Sequence, residues 1–580
     1  GRGVPFLTVY DYGGEPDRFV LHAEETAYCM LGVGAMPDEV AEFLRGVLFF
    51  LAERFGGVVV VRIRVDEQGR AANLGVHYPS SGPSVICESL MKQLGQMNGG
   101  ALLPPLEPTV KSGITDLSQA LGLADEGQED ILIIGLTVGR FFIGEDGHPY
   151  PLVLRELRAR LHTALRRFYF DFIRLQTTYN ATHFHQLGNH RVSELVWEID
   201  RRLVEIATSF PFLMLVTATN DDEAFETFVA SGYREEPNFH YRFLPVDPER
   251  LKRELFELPI DRVKDATLAY ILRDKRDETF QMVDMLANRG SENFRYGSMQ
   301  VYGGVSDELL ATATRLLTDY PAPDPNRKRD LVDAEGFRDA CQSAFDDLTG
   351  QYPQAEPRVV VREDMSGLMV SQGVMHIGHR LQVPRHRVPA LLQHEINTHV
   401  LTYWNGRAQP LTLLHSGTPG YEDLQEGLAV LSEWFVGGMT AARMRILAAR
   451  VVGIAHMLRG HGFTETFALL HEEHRIPERA AFYTTARIFR GGGFTKDAVY
   501  LRGLVELLDY LRQGGELEPL FIGKLRLDYV PLLDELRQRG ILRPPPLIPK
   551  YYREDAAAGH PKLKRLREGV TVFELLSKEG

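Results

Sequence analysis

The sequence predicts an α+β protein of more than one domain, an N-terminal α/β half joined to a mainly helical C-terminal half that carries a small β-sheet. Three observations carry this reading. A chain of 580 residues exceeds what one hydrophobic core usually organises. Roughly the first 240 residues alternate β-rich with helix-periodic segments, and after residue 384 the chain reads as nearly all helix.

In the first half, residues 58–65, 131–137 and 212–217 read as strands, while 37–55, 152–172 and 192–208 have helical spacing. Prolines 245, 248 and 259 then punctuate the chain, and a helical run follows from 260 to about 288. The domain boundary is placed there, giving an N-terminal α/β domain at 1–246 of no assigned role and a second domain at 247–580. Short β segments at 358–362, 367–371 and 373–377 precede the C-terminal helices.

An apolar share of 44% with 25% charged residues supplies sizeable cores and argues against global disorder. A net charge of -13, with no long lysine and arginine tract, argues against a nucleic-acid partner. Cys29, Cys87 and Cys341 form no C-x-x-C pair, so neither a disulfide framework nor a thiolate metal site is expected; a reducing, cytoplasmic setting is. The longest apolar runs are strand-length, so no membrane span is expected.

The chemistry concentrates in residues 391–399, which contain His394-Glu395-Ile396-Asn397-Thr398-His399, an H-E-x-x-x-H pattern one residue longer than the H-E-x-x-H of most zinc peptidases. On an ideal helix, positions five apart differ by about 140° in direction and positions four apart by about 40°. The two imidazoles therefore converge only if the helix is locally distorted, and a π-bulge at Asn397, a residue tolerant of unusual backbone angles, would do it. Downstream, Glu426 stands just before the apolar run 428–435 of a second helix. His394, His399 and Glu426 would make a His2Glu set for Zn2+, leaving the fourth position to water, with Glu395 as general base. His2Glu suits several divalent metals, so ligand type alone does not fix zinc. Three short strands before the motif helix is the order of a gluzincin-like zinc-peptidase domain, in which an edge strand at 373–377, starting at Gly373, would bind extended substrate.

Further on, Arg487, Arg490 and Lys496 gather around the Gly491-Gly492-Gly493 turn, where they would bind a substrate's terminal carboxylate. Thr495 would cap the next helix, Lys496 and Tyr500 would share a face, and Tyr500 would donate a hydrogen bond to the oxyanion. The bland reading, a solvated helix entry, weighs equally for each of these residues. His183, His185 and His190 fit no standard metal spacing, and His471-Glu472-Glu473-His474 is a decoy with histidines only three apart.

The combination of HEINTH, Asn405-Gly406, Gln409-Pro410, the QEGLA run at 425–429, and Arg490 to Asp497 followed by Tyr500-Leu501 resembles the family of QEGLA-motif proteins. Bacterial members are described as flavohaemoglobin-expression-modulating proteins, and the family is similar to the eukaryotic microtubule-associated tyrosine carboxypeptidases. The resemblance covers roughly residues 255 to 550. It implies zinc ligands at His394, His399 and Glu426, a catalytic Glu395, and a preference for a C-terminal, tyrosine-like residue of a peptide or protein. Asn397 departs from the glycine common there. Two rivals stay open: a regulatory protein retaining a non-catalytic metal site, and a zinc amidase acting on a small amide.

Overall fold

The computed structural model describes residues 3–11, 26–31, 37–66, 71–80, 82–97, 102–113, 115–123, 130–322, 330–365, 367–553 and 561–576. It is an α+β protein, and its chain divides into two compact units. The first comprises Gly1–Glu194, Asp261–Tyr270 and Leu532–Leu542, and the second the remainder.

The first unit is built on six strands: β1 (Phe6–Asp11), β2 (Tyr28–Leu31), β3 (Val58–Val65), β4 (Leu74–Tyr78), β5 (Pro108–Ser112) and β6 (Ile131–Val138). Their order is β2-β1-β3-β6-β4-β5, parallel throughout except where β4 meets β6. The near-continuous valine run of β3 is what a strand covered on both faces requires. Val59, Val61 and Ile63 join one core with helices Ser84–Gly95 and Pro151–Gln176, while Val58 and Val60 join another with helix Asp38–Phe55. The segments distant in sequence are held by a buried ionic network. Glu535 accepts from Arg166 at 2.8 Å, Arg539 at 3.2 Å and Thr267 at 3.0 Å, and Arg539 also pairs with Asp265.

The second unit contains β7 (Leu331–Asp333), β8 (Arg358–Arg362), β9 (Leu368–Ser371), β10 (Val374–Gly378) and β11 (Gln382–Pro384). β7 pairs with β11, and β8, β10 and β9 form a three-stranded sheet in that order. The strand expected at the edge, 373–377, is thus central: β10 pairs in parallel with β8 and antiparallel with β9. Sequence periodicity identifies a strand but not its neighbours, and the short loop that fixes β9 to β10 leaves the other side of β10 to β8.

Residues 212–217, read as a strand, contain a short helix, Phe212–Val216, entered from Pro211. A five-residue apolar run carries no period that separates strand from buried helix. The preceding helix, Glu194–Thr208, belongs to the second unit from Leu195 onward, and its buried Asp200 accepts from the Thr412 backbone and hydroxyl, both at 2.7 Å, and from Leu413 at 3.0 Å. The punctuated stretch before Pro259 marks a helix start, since the Asp247 side chain accepts from Glu249 and Arg250 and Pro248 occupies the first turn. Among the described residues no helix is long and apolar enough to cross a membrane.

Helices Glu422–Phe435 and Val499–Arg512 cross at two glycines. A Cβ on Gly427 would lie 2.5 Å from the Gly503 carbonyl oxygen, and one on Gly503 would lie 1.8 Å from that of Asp423. Arg502 reinforces the crossing with two bonds to the Asp423 carboxylate, at 2.7 and 3.0 Å. Gly503→Ala must separate the helices and is expected to cost at least about 1–3 kcal/mol in thermal unfolding. Gly350→Ala, at an exposed helical position with nothing within 4 Å, serves as the control and is expected to be neutral or stabilising by up to about 1 kcal/mol. Equal effects of the two would contradict the close crossing.

Candidate metal centre

The motif helix runs unbroken over residues 388–407 as three segments, α-helical at Val388–His394, π-helical at Glu395–Val400 and α-helical again at Leu401–Arg407. The distortion demanded by the five-residue spacing is present. The Leu401 N–H reaches back five residues to the Ile396 carbonyl, and the Thr398 hydroxyl donates to the Gln393 carbonyl at 3.0 Å. Asn397 contributes differently from expectation: its φ is not positive, and its amide instead donates to Gln393 Oε1 at 2.8 Å. A π turn widens the helix within ordinary right-handed angles, so no left-handed residue is needed.

The widened turn sets the His394 and His399 rings 5.1 Å apart at 78°. Glu426, from the crossing helix, completes the cluster. Its Oε2 lies 3.5 Å from Nε2 of both histidines, and the three donor atoms all fall within 4.8 Å of one another. That oxygen is buried without a hydrogen-bond partner among the described residues. Two donors each about 2.0–2.1 Å from a tetrahedral ion stand about 3.3–3.4 Å apart, so two of the three edges match a zinc-sized ion. These residues fit a divalent cation. Its binding would satisfy the orphaned oxygen.

Glu433 lies two turns beyond Glu426 on the same helix face and is fully buried. Its Oε1 accepts from His394 Nδ1 at 2.9 Å, while Arg387 and Arg443 approach at 2.6 and 2.8 Å. Burial acts to raise the Glu433 carboxyl, but Arg443 and His394 hold it well below the usual carboxylate range. An ionised Glu433 fixes the proton of His394 on Nδ1 and turns the Nε2 lone pair to the cluster. Without a cation, burial works to lower the His394 pKa and the carboxylates of Glu426 and Glu433 outweigh it, raising it to about 9, so a cation taking the Nε2 lone pair must first displace a proton. Glu433 was missed in the sequence, although a charge seven residues after Glu426 inside an apolar run was the available signal.

Glu426 divides its charge between two sides, since Oε1 faces Lys496 Nζ at 3.5 Å. Burial tends to raise this carboxyl, yet Lys496 and His399 hold it well below its usual range. Lys496 and Tyr500 do share a face, with the ammonium 5.7 Å from the ring centroid. Tyr500 stacks parallel to the His394 ring at 6.4 Å. Burial, then Glu426, raises its pKa, so the phenol stays a donor. Glu395 follows His394 directly and is half-buried.

The remaining sequence-selected residues fall into place less directly. Arg487 is held by Asp497, with Nη2 at 2.7 Å from Oδ1. Arg490 donates to Thr217 at 2.9 Å, and burial followed by Arg487 pushes it down to about 10. The glycine run admits the protein's own helix: all three have positive φ, and a Cβ on Gly491 or Gly492 would strike Phe294 at 2.6 Å or the Ser291 carbonyl at 2.5 Å. Thr495 caps nothing and instead exchanges hydrogen bonds with Ser298. Gly373 occupies the β9–β10 turn at φ 74, where a Cβ would lie 2.3 Å from the Tyr403 ring.

Asn405 and Gln409 are anchors. Buried Asn405 donates to the Phe521 and Leu547 carbonyls at 2.7 and 2.8 Å and accepts from Leu547 at 2.8 Å, and Gln409 exchanges a similar pair with Arg543. Gly406 lets the Leu414 carbonyl approach to 2.3 Å of where a Cβ would stand. His183, His185 and His190 belong to the first unit, and His471 faces the Ile476 carbonyl at 2.9 Å.

A helix bearing two histidines and an interleaved glutamate, closed by a glutamate from a second helix, presents the donor set of His2Glu metal sites. A family model described as microtubule-associated tyrosine carboxypeptidase matches residues 226–573, and the chain belongs to that family. No curated protein matches the chain. Removing the buried orienting carboxylate by Glu433→Gln is expected to weaken divalent-cation binding about 10- to 100-fold in a chelator-competition titration. Unchanged affinity would contradict its role.

Proposed function

We propose that the protein is a zinc-dependent carboxypeptidase of gluzincin-like architecture that removes a C-terminal, tyrosine-like residue from a peptide or protein. The observation that carries the reading is the convergence of His394, His399 and Glu426 donor atoms within 4.8 Å, beside Glu395. The family supports a carboxypeptidase hydrolase and the tyrosine-like preference.

A zinc ion held by these three residues would polarise the scissile carbonyl and increase the acidity of water at the open position. Glu395 would accept the proton of the attacking water and deliver it to the departing amine, so that water is added across the peptide bond. Tyr500, kept protonated by burial and by Glu426, would donate to the oxygen on which charge develops. Glu433 holds His394 in the tautomer and orientation the site needs. Lys496 balances the second oxygen of Glu426. Substrate cannot add to β10, which is paired on both sides.

Metal analysis of the purified protein is expected to give one zinc per chain. Digestion of a C-terminal peptide library is expected to show single-residue trimming that Glu395→Gln reduces by about 100-fold or more. Zinc without trimming would favour the amidase or regulatory alternatives, and absence of a bound metal after mild purification would overturn the site. Tyr500→Phe should lower kcat by about 10- to 1,000-fold with KM little changed, as expected for loss of one oxyanion donor. A pure rise in KM would assign Tyr500 to ground-state binding instead.

A further inference from the structure

One buried cation beside the centre has less than its share of negative charge. Arg450, on helix Ala441–Leu458, is 13% exposed and was not selected from the sequence. Its guanidinium lies over the Tyr500 ring at 4.5 Å, and Tyr500 in turn stacks on the ligand His394. The carboxylate nearest to it is Asp497, but Arg487 holds both oxygens of that group. Arg450 Nε stands 3.5 Å from Asp497 Oδ2 outside hydrogen-bond alignment, and Nε and Nη1 are buried with no hydrogen-bond acceptor among the described residues.

Of the neighbouring cations, Arg490 donates to the Thr217 hydroxyl at 2.9 Å. Arg443 pairs with Glu433 and Lys496 with Glu426, leaving two guanidinium groups to share the single carboxylate of Asp497. A buried charge whose N–H groups lack acceptors is costly, and the fork of an arginine matches a carboxylate with two oxygens. One extended residue spans at most about 3.6 Å, so a terminal carboxylate sits about that far beyond the carbonyl being attacked. Arg450 stands 4.5 Å from the Tyr500 ring, which stacks on the His394 ring at 6.4 Å, so the guanidinium borders the candidate centre.

We infer that Arg450 receives the free α-carboxylate of the substrate's last residue, with Arg487 and Asp497 as the frame that positions it. This rests on the carboxypeptidase reading above and names the group that would restrict that activity to chain ends. Burial dominates the lowering of the Arg450 pKa, with Asp497 opposing it, in keeping with a charge that lacks a full partner.

Calorimetric titration of the full chain with N-acetyl-L-tyrosine and with N-acetyl-L-tyrosinamide tests this apart from turnover. The wild type is expected to prefer the acid. Arg450→Gln should weaken acid binding by about 100-fold and leave amide binding unchanged. Arg450→Lys, which keeps the charge but loses the fork, should fall between them and serves where Arg450→Gln fails to fold. Acid binding left unchanged by either substitution, acid and amide binding weakened equally, or a wild type without acid preference would overturn the assignment. Acid preference in a wild type that trims no peptide would sink the carboxypeptidase reading and leave the carboxylate site standing, whereas trimming without acid preference would do the reverse.

Discussion

The structure depends on one widened helical turn. His394 and His399 stand five positions apart, and only the π-helical backbone at Glu395–Val400 brings both rings to one face of the helix. The same turn leaves Glu395 beside His394 and lets the following α-helical segment carry Thr402, whose hydroxyl bonds Gln425 at 2.9 Å. That contact joins the motif helix to the helix bearing Glu426, one residue away. The geometry of the centre thus follows from an irregularity that is fixed at both ends, by Gln393 upstream and by Gln425 downstream.

Around that turn the charges are arranged in layers. Glu426 faces the histidines with one oxygen and Lys496 with the other, and Glu433 anchors His394 while two arginines neutralise it. Glu426 and Glu433 therefore each have a cationic counterpart, which holds the carboxyl below its usual range despite burial. The helix crossing at Gly427 and Gly503 allows this density, because any side chain at either position would drive Lys496 and Tyr500 away from Glu426.

Much of this was legible in the sequence because it obeys local rules. The strands at 58–65 and 358–362 are bounded as their composition indicates, and the five-residue histidine spacing demanded the distortion that is present. What was not legible depends on tertiary neighbours. The position of β10 within its sheet, the use of the glycine run against helix Glu292–Tyr302, and the hydroxyl exchange of Thr495 with Ser298 are set by segments remote in sequence. Glu433 offered a weak local clue in its seven-residue offset from Glu426, whereas Arg450 offered none, since one arginine in an apolar helix reveals neither its burial nor its lack of a partner.

The proposal turns on whether the π turn and Glu426 together build a three-donor zinc site with its fourth position open. Zinc-edge X-ray absorption on the purified full chain reads that donor set directly. The account predicts a first shell of two imidazole nitrogens and oxygen donors at about 2.0–2.2 Å, with one imidazole contribution lost in His399→Ala. A shell containing sulfur, or one that His399→Ala leaves unchanged, would contradict it.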